Sequence, residues 1–399
     1  MKLGIFLNTP GFYKGGVYSF DYVNMIDFFA TYASRVEELH LFVAIQAGQR
    51  QGAQTLDLGR SNLFIHRLPY YSDAASLVRR FPVVVSGAAL TAARYVRQMD
   101  MVGAVVPSVV GNIFSMAAVG FRKPLFFIVR GDKEQGLHHT YKDSLAKWFF
   151  LPAFKIYNFV TERLMSPQRP IFTMGEDLQR KYAARGFNAA AVSPVLEDSF
   201  HLNSGATRWP KAGQPLRLLS VGRLAPEKGL DVLLRAIGIL AEQGNSLIEI
   251  TLVGAGPEES RLKQLADELN IRDRVQFSGL VPHDDALLAI YHNSHVYVHP
   301  SFTEGMPGAV LEAMGTFTPV IASAVGGIPG LISEGTTGFL VPPGDAPALA
   351  DRITQVMHSP DLAAKAAIDA HKVAAAYTFS KQGQILFEEL CLSFPSVCS

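Results

Sequence analysis

The chain has 399 residues, 36 Lys and Arg against 35 Asp and Glu, and a formal net charge of +1, so no overall basicity points to nucleic acid. Hydrophobic residues make up 48% and charged residues 18%, which excludes a disordered chain, and the length exceeds what one core usually serves, so two domains are expected. The two cysteines, Cys391 and Cys398, are too few and too near the end for a disulfide or zinc framework, which fits a reducing cytoplasm.

Met1 to Asn8 is a short apolar run ending in a polar turn, and it reads as a first strand rather than a secretory leader. Beyond it lie Gly11, Lys14, Gly15, Gly16 and Val17, a loop whose paired glycines precede a helix at 22–34 and permit close backbone approach to a ligand. Strands at 38–45 and 63–68 and a helix at 82–97 follow, and this alternation predicts a parallel sheet covered by helices.

Residues 101–121 carry no charge and are long enough to suggest a membrane span. Pro107 and Ser108 divide them, so a buried strand, a helix and a further strand at 125–129 are the better account. That last strand leads to Arg130, Gly131 and Asp132, at the carboxyl end where such sheets bind ligands. Residues 147–157 interleave Lys147, Trp148, Phe150, Lys155 and Tyr157, a composition shared by interfacial helices and by a buried helix broken at Pro152. Peripheral membrane contact is therefore one expectation for this stretch. A strand at 171–173, a helix at 178–184 and a strand at 190–192 complete the first domain, 1–202, and the Gly- and Pro-rich residues 203–215 form a linker.

The second domain, 216–378, opens with a strand at 216–221 and a helix whose Leu230, Leu233, Leu234, Ile237 and Leu240 recur at helical spacing. Gly254 and Gly256 suggest a dinucleotide fingerprint, but its third glycine is missing and Pro257 stands at the helix start. The organising stretch is Ser301 to Met314, where a strand at 296–299 gives way to a helix beginning near Pro307. Glu304 falls in the loop and Glu312 in the helix, eight positions on. Free amides at the helix start suit a phosphate, with carboxylates to accept hydroxyl hydrogen bonds beside it.

Four segments accompany this pair in order: Ser220 to Gly229, with Gly222, Arg223 and Lys228, and Phe277 to Leu280 before it, then Val325 to Pro329 and Gly338 to Val341 after it. On these residues the chain resembles the family 4 retaining glycosyltransferases, closely over 213–375 and loosely before. The resemblance implies the GT-B fold, two Rossmann-like domains facing each other across a cleft, with a C-terminal helix at 379–399 packing back on the first domain. It implies transfer of a sugar, hexosyltransferase fashion, from a nucleotide sugar to an alcohol acceptor that is a sugar or lipid-linked, in polysaccharide, lipopolysaccharide or glycolipid synthesis, with the anomeric configuration retained.

By the same resemblance Arg223 and Lys228 meet the leaving diphosphate and Glu304 faces the donor sugar. Glu312 holds the ribose hydroxyls, the amides of Met306, Gly308 and Ala309 beside Pro307 hold phosphate or sugar oxygens, Gly279 and Leu280 bracket the base, and Gly16 approaches the diphosphate. Arg130 stands where the family often has a histidine near the reacting carbon; it remains charged and can clamp a phosphate or pair with Asp132. No Asp-x-Asp occurs in the sequence, so no metal and no cofactor are expected. Phe317 stands where the family usually has a turn glycine. Competing expectations are a nucleotide-sugar epimerase, for which no acid and base pair is evident, and a non-catalytic nucleotide-sugar-binding subunit.

Overall fold

The structure, a computed structural model, describes residues 1–20, 24–48, 54–55, 61–71, 74–130, 159–202, 208–245 and 247–398. Gly131, Asp132, the 147–157 stretch and residues 203–207 of the expected linker lie outside the described residues. The chain divides into two units: Met1–Pro194 with Ser380–Ser399, and Val195–Phe379.

The first unit is built on β1 (Lys2–Lys14), β2 (Val17–Phe20), β3 (Glu38–Ala47), β4 (Gln54–Thr55), β5 (Leu63–Leu68), β6 (Met101–Val106), β7 (Leu125–Val129), β8 (Ile171–Thr173) and β9 (Ala189–Ala191). Seven of these are parallel in the order β5-β3-β1-β6-β7-β8-β9. The strands β6 and β7 are buried along their whole length, as continuous apolar runs in a doubly covered sheet should be. The charge-free 101–121 segment resolves into β6 and the helix Val109–Gly120, whose first turn is capped by Ser108. Among the described residues no helix is long and apolar enough to cross a membrane.

One expectation here is corrected. Gly15 and Gly16 do not precede a helix: they are the turn of a hairpin in which Gly11–Lys14 pairs antiparallel with Val17–Phe20. Their φ angles of 58° and 92° lie in the left-handed region that a two-residue hairpin turn requires and that glycine adopts without strain.

The helix Phe379–Ser393 carries the chain's last residues, and Ser380–Ser399 form part of the first unit. The Ser193 N–H donates to Gln382 Oε1 at 2.7 Å, Phe387 packs on Tyr32, and Leu386 lines a small apolar cavity with Phe28, Phe29, Ile128 and Phe172. The cysteine expectation is also corrected, because Cys391 and Cys398 form a disulfide. In a continuous helix residues seven apart would lie about 10.5 Å from each other, too far to bridge. The helix stops at Ser393 and Pro395 starts a separate turn, which brings the two Cα atoms to 5.3 Å.

The second unit holds β10 (Leu216–Val221), β11 (Ile248–Val253), β12 (Val275–Gly279), β13 (Val296–His299), β14 (Val320–Ser323) and β15 (Phe339–Val341), all parallel in the order β12-β11-β10-β13-β14-β15. Alternate residues fill two cores. Leu218, Ile250 and Val298 pack under the helices Leu230–Glu242 and Ala346–Met357, while Leu219, Tyr297 and Val320 pack under Gly308–Gly315 and Pro360–Ala374. This unit begins at Val195, before the expected boundary at 202, because Leu196 and Phe200 are buried in its second core beside Met314 and Ala374.

Candidate functional site

The strand order of the second unit reverses between β10 and β13, whose loops therefore leave the sheet side by side, the position at which open α/β sheets bind ligands. Backbone contacts join these loops. The Phe302 N–H donates to the Glu227 carbonyl at 2.9 Å, and Ser301 Oγ lies 2.9 Å from the same oxygen. Gly229, at φ 61°, lets Pro300 come so close that a Cβ would stand 2.2 Å from its carbonyl oxygen. On the other side a Cβ on Gly326 would stand 1.7 Å from the Glu304 carbonyl oxygen, and one on Gly254 would stand 1.9 Å from that of Gly222. These glycines of the quoted segments thus let backbone pack on backbone around the loop.

Within that frame the Glu304 carboxylate is the point of convergence. Lys228 Nζ lies 2.7 Å from its Oε2, His299 Nε2 3.0 Å and Ser301 Oγ 3.3 Å. His299 is aligned in turn by Tyr297, whose hydroxyl is 3.1 Å from Nδ1. Burial disfavours the Glu304 charge, but the hydrogen bonds and charges of His299 and Lys228 outweigh it and hold the carboxyl down to about 2. Glu304 is thus a permanent anion in the neutral range. Gly222, Arg223, Lys228, His299 and Pro300 line a recess that opens to solvent.

Glu312 sits in the helix Gly308–Gly315, and only 8% of it is exposed. Its carboxylate accepts from the Tyr291 hydroxyl at 2.8 Å and lies 3.0 Å from His283 Nε2. The other His283 nitrogen is 3.4 Å from Glu197, so the imidazole bridges two carboxylates. Burial alone would lower the His283 pKa, yet hydrogen bonds and charge from Glu197 and Glu312 lift it to about 10. A carboxylate has about four acceptor sites, so two donors leave Glu312 capacity for a ligand hydroxyl.

The remaining expected site residues fall in different places. Arg223 is exposed and paired with Glu227, so only Lys228 of the basic pair touches Glu304. Pro307 caps the helix at Gly308 and Ala309, whose N–H groups begin its first turn, and Met306 packs against the core beneath. Gly279 ends β12 at φ 67°, and the neighbouring Leu280 is 76% exposed. Gly16 and Arg130 belong to the first unit; Gly16 is at the hairpin tip, and Arg130 Nη1 lies 3.3 Å from Thr9 Oγ1. Phe317 takes the left-handed conformation, φ 55°, that glycine adopts most readily, and its ring stacks on His371 at 3.9 Å.

His299, Ser301, Tyr297, Tyr291, His283 and Glu197 were not singled out in the sequence. A signal existed for His299, the last residue of a buried strand that opens onto the loop.

Residues 207–373 match the family described as Glycosyl transferases group 1. The quoted segments lie within this match to group 1 glycosyltransferases, and it is the second unit that bears it. The putative colanic acid biosynthesis glycosyltransferase WcaL of Salmonella typhimurium is 34% identical over 171 residues, 41% of each chain. The amylovoran biosynthesis glycosyltransferase AmsK of Erwinia amylovora is 39% identical over 143 residues, 34% of this chain and 35% of that one. The chain thus spans less than half the length of these curated relatives.

Among solved structures, sucrose-phosphate synthase from Thermosynechococcus elongatus superposes with a TM-score of 0.69 at 19% identity, covering 99% of both chains. Anabaena Alr3699/HepE in complex with UDP and glucose gives 0.67 at 18% identity, covering 97% of this chain and 98% of that one. At such identities the likeness concerns the fold, which is the GT-B class of two parallel-sheet α/β domains.

Proposed function

We propose that the chain is a retaining glycosyltransferase of the family 4 type, moving a hexosyl group from a nucleoside-diphosphate sugar to a sugar or lipid-linked alcohol in polysaccharide, lipopolysaccharide or glycolipid synthesis. The observation that carries this is the ionised Glu304 carboxylate, held by Lys228 and His299 at the mouth of a recess where β10 and β13 part. The names of the relatives, which speak of colanic acid and amylovoran biosynthesis, supply the polymer context. The neighbour bound to UDP and glucose supplies the donor class.

Breaking the bond between the anomeric carbon and the diphosphate builds negative charge on the leaving oxygen and positive character on the carbon. Lys228 and, from the exposed rim, Arg223 supply the positive charge for the first, aided by the N–H groups of Gly308 and Ala309. Glu304 supplies the negative charge for the second, and Glu312 accepts from the ribose. The leaving phosphate oxygen takes the acceptor's proton on the same face, which retains configuration. Basic side chains do the work at the diphosphate in this scheme, so turnover proceeds without a metal.

A panel of nucleotide sugars tests the reading twice over. A matched donor at one hundred times its dissociation constant stabilises the fold by about 2.7 kcal/mol. With an acceptor present, nucleoside diphosphate should then be released in the presence of a chelator. Stabilisation without release would identify a binding subunit, and a strict need for a divalent ion would overturn the metal-free scheme.

A further inference from the structure

The helix Phe81–Tyr95 buries Val84, Ala88 and Ala92, and the helix Val109–Gly120 buries Val110, Phe114 and Ala118 in the same core of the first unit. The two helices pack against each other, so their opposite sides share one outer surface. That surface is apolar where solvent should favour polar residues. Leu90 is 73% exposed, Val83 56%, Met116 50% and Phe81 47%. In helical projection Val83, Leu90 and Arg94 fall within about 40° of one another on the side away from the buried stripe, whereas Phe81 is exposed because it stands at the helix start.

The charge on this stretch has one sign. Residues 74–123 contain six basic side chains, Arg79, Arg80, Arg94, Arg97, Arg122 and Lys123, and one acidic side chain, Asp100. Asp100, itself exposed, accepts the Lys2 N–H at 2.7 Å. A chain of net charge +1 thus concentrates +5 here and carries −4 elsewhere. Among the described residues none of the six basic groups makes an ion pair.

We infer that this two-helix face docks on an anionic lipid surface, with Val83, Leu90 and Met116 entering the headgroup boundary and the arginines meeting lipid phosphates. Exposed aliphatic side chains flanked by an excess of basic ones match an interfacial surface. A face for a second copy of the chain would instead need acidic groups to answer the arginines, and this stretch offers only Asp100. The inference does not rest on the transferase reading.

Flotation of the full chain with phosphatidylglycerol-containing and with pure phosphatidylcholine vesicles tests it. The wild type should float with the anionic vesicles at low salt, release as ionic strength rises, and bind the neutral vesicles weakly. Arg94→Gln with Arg97→Gln should weaken binding by more than tenfold, taking about fivefold per basic group at a membrane surface. Leu90→Ser with Met116→Ser should abolish it while leaving the thermal midpoint unchanged, since both side chains are exposed. Vesicle binding that survives both double variants, or a wild type that stays unbound, overturns the proposal. So does loss of a dimer in Leu90→Ser without any vesicle binding, which would assign the face to a second copy.

Discussion

Glu304 and Glu312 share one loop-and-helix segment, but the protein holds them by different means. Glu304 is met by an ammonium group, an imidazole and a hydroxyl at the strand ends, beside an open recess. Glu312 is sunk in the helix and met by a phenol and by an imidazole that a second carboxylate shares. The first arrangement keeps a negative charge fixed next to a positive one beside a recess open to solvent. The second fixes the direction of a carboxylate whose spare acceptor sites can take hydroxyls. Spacing in the sequence makes the two look like a matched pair; their partners give them different chemistry.

The largest separation between the two is expected from Lys228→Ala. Removing the ammonium takes away the Glu304 partner and, in the proposed scheme, the charge that meets the leaving group, so kcat should fall about 10²–10³-fold. Steady-state rates checked against Glu312 variants, which keep Lys228, would show whether the effect belongs to the Glu304 end alone. Next in size is Gly326→Ala, because the added Cβ would meet the Glu304 carbonyl at a φ of 53°. Strain of that kind typically costs about 1–3 kcal/mol, and the loop must shift besides, so a loss of at least about 2 kcal/mol is expected in a urea titration. A neutral result would mean that the loop around Glu304 is not fixed by its backbone neighbours.

The smallest effect is in pH dependence, where the two ends differ in sign. Glu304, held near 2, contributes stability that is present above the ordinary value of 4.5 and is lost as pH falls through about 2. His283 beside Glu312, lifted to about 10, contributes stability that is full below 6.5 and is lost as pH rises through about 10. The thermal midpoint of His283→Gln should therefore fall furthest below wild type near pH 6 and converge on it as pH approaches 10. A difference that stays constant across that range would show that the imidazole is not charged between Glu197 and Glu312.

Buried parallel strands were the most legible elements. The runs at β7, β8, β10, β11 and β13 begin and end where the apolar pattern places them, because such strands are largely covered on both faces. The hairpin β1–β2 was hidden because Gly15 and Gly16 serve equally as a loop before a helix and as a tight turn, and only pairing distinguishes the two. The site was legible as far as its motif residues reach. Glu304, Lys228 and Glu312 could be named, whereas Tyr291 and His283 reach Glu312 from 21 and 29 residues away, through packing that local spacing does not encode. The disulfide was missed for a similar reason, since seven residues separate Cys391 from Cys398 and only a break in the helix brings them together.

The most direct measurement sets Glu304→Gln against Glu312→Gln, with steady-state kinetics and calorimetric titration of the free nucleoside diphosphate for each. Glu304→Gln should lower kcat and leave diphosphate affinity nearly unchanged, because its charge acts on the sugar. Glu312→Gln should raise KM about tenfold and weaken the diphosphate, with kcat little altered, because a ribose contact is lost equally in ground and transition states. If Glu304→Gln instead lost diphosphate affinity at full kcat while Glu312→Gln lost kcat, the roles assigned to the two carboxylates would be reversed and the account contradicted.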